Sequence, residues 1–209
     1  GVFDGSRYFD IHVEYAKASP DDMLVRITVS NRGPEAAPIH LLPSLWFRNT
    51  WSWGPRRDVQ GTRIAKPSLK ADGPGRILAT HPTLGRFEFC ADRATGGARP
   101  ELLFTENESN SARLWGVPNE SPFVKDAFHE RVIHGDASAV NPGLTGTKAA
   151  AWYTLNVPAR RSVSVRLRLR PVVASNMEPI ESWVTDFDRI FEDRIREADA
   201  FYDAPPRCH

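Results

Sequence analysis

Cysteine is nearly absent from this chain: there are two in 209 residues, Cys90 in a strand-like segment and Cys208 beside the last position. With no CxxC pair and no metal-ligand spacing, neither a disulfide framework nor a cysteine-built metal site is expected, and a cytoplasmic setting is the default. An excess of charge is also missing. Lys plus Arg number 27 against 26 Asp plus Glu, a formal net charge of +1, which argues against a nucleic-acid partner because such binders carry a basic field. No apolar run approaches the roughly 20 residues that span a bilayer, and no charged-then-apolar leader opens the chain, so no membrane partner is expected. No GxSxG elbow occurs. Gly143-Leu144-Thr145-Gly146-Thr147-Lys148 fails the spacing of a phosphate-binding loop, and Ala149 stands where a Ser or Thr would reach magnesium. No cofactor is expected.

Two-residue alternation is abundant. Phe9, Ile11, Val13 and Tyr15 share one face of a strand, with Asp10, His12 and Glu14 on the other, and Ser19-Pro20-Asp21-Asp22 is turn chemistry. Val25, Ile27 and Val29 alternate in the returning strand, so the pair reads as an antiparallel hairpin with one wet face. Ile39–Phe47 is a more continuous apolar segment and reads as the central strand. Shorter strands are expected at 63–69, 77–80, 86–91 and 101–105. Ala149–Val157 and Ser162–Arg170 form the clearest hairpin, with Val163, Val165, Leu167 and Leu169 inward and the basic stripe Arg166, Arg168 and Arg170 on a solvated face. Many short strands separated by 17 prolines and 14 glycines point to a mainly β, antiparallel sandwich. Only the end reads as helical. Val184, Phe187, Phe191, Ile195, Ala198 and Tyr202 form one apolar stripe, Thr185 with Asp188 resembles a capping box, and Pro205-Pro206 ends the pattern. The expected division is a sandwich domain over 1–176, a linker helix over 177–204 and a tail over 205–209.

The densest aromatic segment is Trp46-Phe47-Arg48-Asn49-Thr50-Trp51-Ser52-Trp53-Gly54. Rings beside Arg and Asn suit a sugar, whose apolar ring faces stack while amides and guanidinium bond its hydroxyls. The same residue types also anchor cores and interfaces. Trp46, Arg48, Asn49, Trp51 and Trp53 are therefore candidates for carbohydrate or interdomain contact, with the interdomain role favoured. Glu106, Glu108, Asp126 and Glu130 could supply the two carboxyls that glycoside hydrolysis needs, but read as surface or loop-capping groups, and no catalytic residue is assigned. His129-Glu130-Arg131-Val132-Ile133-His134 departs from HExxH because its histidines are five apart, and on a strand odd spacing sends them to opposite faces. No metal site is expected. Asn107-Glu108-Ser109 and Asn119-Glu120-Ser121 read as chance matches to the glycosylation sequon.

Four segments in order carry a resemblance. They are Leu45 to Trp53; Leu103-Phe104-Thr105-Glu106-Asn107-Glu108; Gly116-Val117-Pro118-Asn119 with Val124-Lys125-Asp126; and Asn141-Pro142 followed by Gly146-Thr147-Lys148-Ala149-Ala150. Together they resemble the bacterial branch of glycoside hydrolase family 63, the processing α-glucosidases, from Gly1 to about Tyr202. The resemblance implies an N-terminal β-sandwich that precedes a catalytic (α/α)₆ barrel, with the acid and base carboxylates on the barrel. It further implies a chain shortened at its N-terminus, inactive alone, that supports or rims the barrel's active site. A free-standing carbohydrate-binding module and a small carboxylate-dependent glycosidase are the alternatives. An oligosaccharide ligand and a homodimer through exposed apolar surface are expected partners.

Overall fold

The computed structural model describes residues 3, 5, 7–52, 54, 57, 60–62, 64–172 and 186–203. The chain begins as the expected hairpin, β1 (Phe9–Ser19) paired antiparallel with β2 (Asp22–Asn31). Next come β3 (Ala37–Leu41) and β4 (Ser44–Trp46), then β5 (Ser68–Ala71), β6 (Arg76–His81) and β7 (Gly85–Ala91). β8 (Glu101–Thr105) leads into two short helices, α1 (Ser111–Trp115) and α2 (Ala127–Ile133). β9 (Thr145–Gly146), β10 (Lys148–Val157) and β11 (Ser162–Pro171) follow, and α3 (Phe187–Asp203) closes the described chain.

The strands make two antiparallel sheets. The large one has the order β1-β2-β11-β7-β6-β5-β9; in the small one β10 is flanked by β3 and β4 along one edge and by β8 along the other. Their inner faces close a single core. Ile27, Val29, Leu69, Ile77, Val165 and Leu167 come from the large sheet, and Phe104, Ala149, Ala151, Tyr153, Leu155 and Val157 from the small one. Alternation sends each second residue inward, and each fully buried Val, Ile or Leu contributes about 1.5–3 kcal/mol. The Tyr153 hydroxyl donates to the Asp92 carbonyl oxygen at 2.5 Å, and burial pushes its phenol well above the ordinary tyrosine range.

Helices cover both outer faces. On the small sheet, Phe128 and Val132 of α2 pack against Leu103, Ala150 and Trp152. On the large sheet, Phe187, Ile190 and Phe191 of α3 close a second cluster over Ala16, Leu24 and Cys90. Burial, and then the nearby Glu88 charge, pushes the Cys90 thiol up to about 11. No helix among the described residues is long and apolar enough to cross a membrane.

Several expectations are corrected. The central strand of the small sheet is β10; residues 39–47 form its edge, interrupted at Leu42-Pro43 but keeping one register, with Leu41 opposite Tyr153 and Ser44 opposite Ala150. Proline lacks the N–H a central strand needs, which suits the edge position. The strand expected at 63–69 forms at Ser68–Ala71. The hairpin expected of Ala149–Val157 with Ser162–Arg170 does not form: β10 lies in the small sheet and β11 in the large one, where it pairs with β2 and β7, so the connection crosses from one sheet to the other. Residues 106–148 hold α1, α2 and a 3₁₀ turn at Ala137–Ala139.

The basic stripe is not a solvated face. Arg168 is buried against Asp22 (2.8 Å), Arg170 bonds Glu88 (2.5 Å), and Arg166 bonds Asp188 of α3 (2.6 Å). Arg26 and Arg166 also lie over the Phe191 and Phe187 rings, at 4.5 and 5.3 Å. This face is where the chain's own helix docks, which buries Phe187 and Phe191 of the apolar stripe.

The apolar face of β1 is wet as well. Ile11 and Tyr15 are 51% and 67% exposed, while on the opposite face Asp10 and His12 are exposed and Ala16 lies beneath α3. The cause is width: a small sheet three strands across cannot cover a large sheet of seven, and edge strand β1 overhangs. Val184, the Thr185 cap, the boundary at 176/177 and the tail 205–209 lie outside the described residues.

Candidate functional site

Trp51, Glu106 and Glu108 converge at one end of the sandwich. Beyond β8 the chain is held by backbone and side-chain bonds: Glu106 N–H donates to Phe123 O, and Lys125 N–H to Glu108 O, both at 3.0 Å. Between them Asn107 donates from its backbone N–H to Thr147 Oγ1 (2.8 Å) and from its amide to Phe47 O (2.8 Å). Glu106 and Glu108, two apart, present their carboxylates to the same cation. Lys66 Nζ lies 2.9 Å from Glu106 and 2.8 Å from Glu108. The Thr147 hydroxyl donates to the second Glu106 contact, at Oε2 (2.6 Å), and the Trp51 indole N–H donates to Glu108 Oε1 (2.6 Å). Lys66 also stands 5.3 Å from the centre of the Trp51 ring. Burial works to lower the Lys66 pKa, but the bonds to Glu108 and Glu106 outweigh it, and the ammonium stays above the ordinary lysine range.

Gly146 makes this junction fit. A Cβ there would stand 2.2 Å from the Thr105 carbonyl oxygen, so only glycine lets β9 pass β8 closely enough to deliver Thr147 to Glu106 and Asn107.

Beside the cluster opens a cleft of about 660 Å³, walled by Trp51, Lys66, Pro67 and His81 and rimmed by Glu120. It offers an aromatic edge, a lysine, an imidazole and a carboxylate, a mixture suited to a hydroxyl-rich ligand. His81 is oriented by its own turn, its Nδ1 facing the Thr83 and Leu84 amides at 3.2 and 3.3 Å, and its ring packs on Phe47 at 5.4 Å.

The aromatic segment does not act as one platform. The extended chain ends at Phe47, whose N–H donates to Thr147 O. Asn49 then closes a turn, accepting from Ser52 N–H (3.2 Å) and donating to Ser52 Oγ (2.9 Å). Trp46 is 57% exposed and opposite Lys148, on the small sheet's outer side, and Arg48 is exposed. Among the described aromatic residues of the segment only Trp51, partly exposed, lines the cleft, flanked by Thr50 and Ser52. Trp53 lies outside the described residues.

The remaining carboxylates go elsewhere. Asp126 bonds Arg113 (3.2 Å) and the Asn110 amide. Glu130 lies near His134 on α2. Lys66 and His81 were missed because nothing in their sequence neighbourhoods marks them as lining a cleft; the carboxylates that hold Lys66 are tens of residues away. The short helix α1 was missed too, although Asn110 caps it and Gly116 ends it at φ 67, signals readable in the sequence. It leaves Leu114, Trp115 and Val117 exposed.

No family model matches the sequence. The chain is 34% identical over 225 aligned residues to an uncharacterized protein of Saccharomyces cerevisiae, YMR196W. The match takes in 93% of this chain and 20% of the yeast protein, so the chain spans about a fifth of that relative's length.

Proposed function

We propose that this chain is a non-catalytic β-sandwich domain of a glycoside hydrolase of the processing α-glucosidase type, whose cleft end supports or rims the sugar site of a separate (α/α)₆ barrel. The observation that carries the reading is the double use of Lys66. Glycoside hydrolysis needs one carboxyl free to deliver a proton and another free to activate water or attack carbon. Glu108 accepts from the Trp51 indole and Glu106 shares its cation: both are tied to Lys66, with Thr147 and Trp51 as further donors. Groups so engaged fix a loop; they do not shuttle protons.

The four ordered segments support the same reading, since Trp51, Glu106, Glu108 and Thr147 all fall within them and meet at one end of the fold. In support, a yeast relative carries this region within a chain about five times as long. The setting is cytoplasmic in this reading, in keeping with Cys90 as a buried free thiol.

The test is enzymatic. The isolated chain should not release glucose from aryl α-glucosides above the buffer rate, whereas the purified full-length yeast relative should. Turnover by the isolated chain that vanishes in E106Q or E108Q would replace the reading with the small-glycosidase alternative. An inactive full-length relative would remove its basis. A maltose titration of tryptophan fluorescence should stay flat, because one wall of a sugar pocket holds ligand poorly; saturable binding would make the chain a carbohydrate-binding module.

A further inference from the structure

We propose that the C-terminal end of α2 binds a divalent transition-metal ion, with His129, Glu130 and His134 as its ligands and zinc as the best-fitting ion. One ligand-capable atom from each of the three lies within 4.8 Å of the others. The strand geometry that argued against a site is replaced by a helix end, and the fold builds the cluster in two steps. Phe128 and Val132, four apart, both pack on the small sheet, which fixes the rotation of α2 and turns Glu130 toward solvent. The helix then stops at Ile133. His134 caps it, its N–H still bonded to Glu130 O at 3.1 Å, and Gly135 turns the chain away at φ 72. That termination folds the His134 ring back over the preceding turn. Its Nε2 lies 3.8 Å from Glu130 Oε2, and its centroid lies 5.5 Å from that of His129.

Two imidazoles and one carboxylate are a zinc donor set, with bonds of about 2.0–2.2 Å. Drawing the three atoms onto one ion needs side-chain rotation, which is available because His134 is 59% and Glu130 42% exposed. A fourth coordination position faces solvent, open to water or an incoming carboxylate. The helix end supplies partial negative charge. Neighbouring cations are held by other groups: Arg131 bonds Glu101 (3.0 Å), and Lys148 bonds Lys125 O (2.7 Å) above the Phe128 ring. Nitrogen ligands favour zinc over calcium or magnesium, which take oxygen.

The site is independent of the cleft and of any glycosidase role. Isothermal titration of the full chain with zinc chloride should give one ion per chain, and magnesium chloride should give no heat. Thermal melts should show Tm rising with zinc. The H129A/H134A double variant should bind at least about tenfold more weakly, since even groups behind metal ligands cost that much when changed. E130Q keeps the shape of the side chain and should weaken binding as well, with unchanged circular dichroism. Zinc binding that survives both variants would place the ion elsewhere, on Cys208 and His209 for example, and overturn the proposal. Absence of heat at millimolar zinc would overturn it too.

Discussion

The Trp51 indole donates to Glu108, 57 residues away in sequence, at 2.6 Å, and this bond ties the aromatic segment to the end of β8. Glu108 is 8% exposed, so its charge is largely removed from water and must be compensated locally. Lys66 completes that compensation at 2.8 Å. W51F should therefore destabilise the fold by about 1.5–3 kcal/mol, the range for a hydrogen bond to a charged group. K66M should cost about 1–2 kcal/mol, less than a fully buried pair would, because the ammonium is partly in water. The two share one acceptor, so urea denaturation of both single variants and the double variant should give non-additive losses. Strict additivity would mean that Glu108 does not couple them.

Acid stability has a local source in β1. The Arg26 hydrogen bonds at 2.7 and 2.9 Å hold the Glu14 carboxyl below its ordinary 4.5. Folded Glu14 therefore binds a proton less readily than unfolded Glu14. Its contribution is fully present above pH 4.5 and is lost as pH falls below that through the lower folded value. E14Q should flatten the acid limb of the stability profile and leave the slope between pH 6 and 8 unchanged. An unaltered acid limb, measured by urea melts at a series of pH values, would refute the assignment.

Helix α3 is anchored at one end only. Phe187 is fully buried, whereas Phe201 and Tyr202 are 74% and 82% exposed. F187A should cost about 3–5 kcal/mol, as core Phe deletions do, with loss of helical circular dichroism before the sheets melt. F201S/Y202S should stay within about 0.5 kcal/mol of the parent. A large loss in the second variant would show that the outer half also packs.

Self-association should follow the overhanging strand and not the helix. Ile11, Val13 and Tyr15 form an apolar strip on an edge strand of 11 residues, the kind of edge that proteins normally blunt with charge. Sedimentation of the parent should show weight-average mass rising with concentration. I11K/V13K should remain monomeric with unchanged Tm. Equal association in both would move the contact to another surface, with Leu114 and Trp115 the next candidates.

The sequence by itself determined the β class, the hairpin β1–β2, the strands β10 and β11 as separate elements, and the terminal helix, because each rests on local periodicity: two residues for a strand, 3.6 for a helix; that β10 and β11 part into different sheets was not legible there. It also held Trp51, Glu106 and Glu108 among its candidates, since aromatic and carboxylate side chains declare their chemistry locally. What only the tertiary structure decided were relationships between distant segments. The apolar face of β1 is wet because the opposing sheet is narrower, a fact about sheet width that no strand encodes. Arg166, Arg168 and Arg170 look solvated by alternation, yet Asp22, Glu88 and Asp188 arrive from three other elements to pair with them and seat α3. Lys66 joins Glu106 and Glu108 across about 40 residues of chain. His129 and His134 meet because a helix ends between them, replacing a strand on which they would point apart. Local pattern sets which way a side chain can point; the packing of whole elements sets what it finds there.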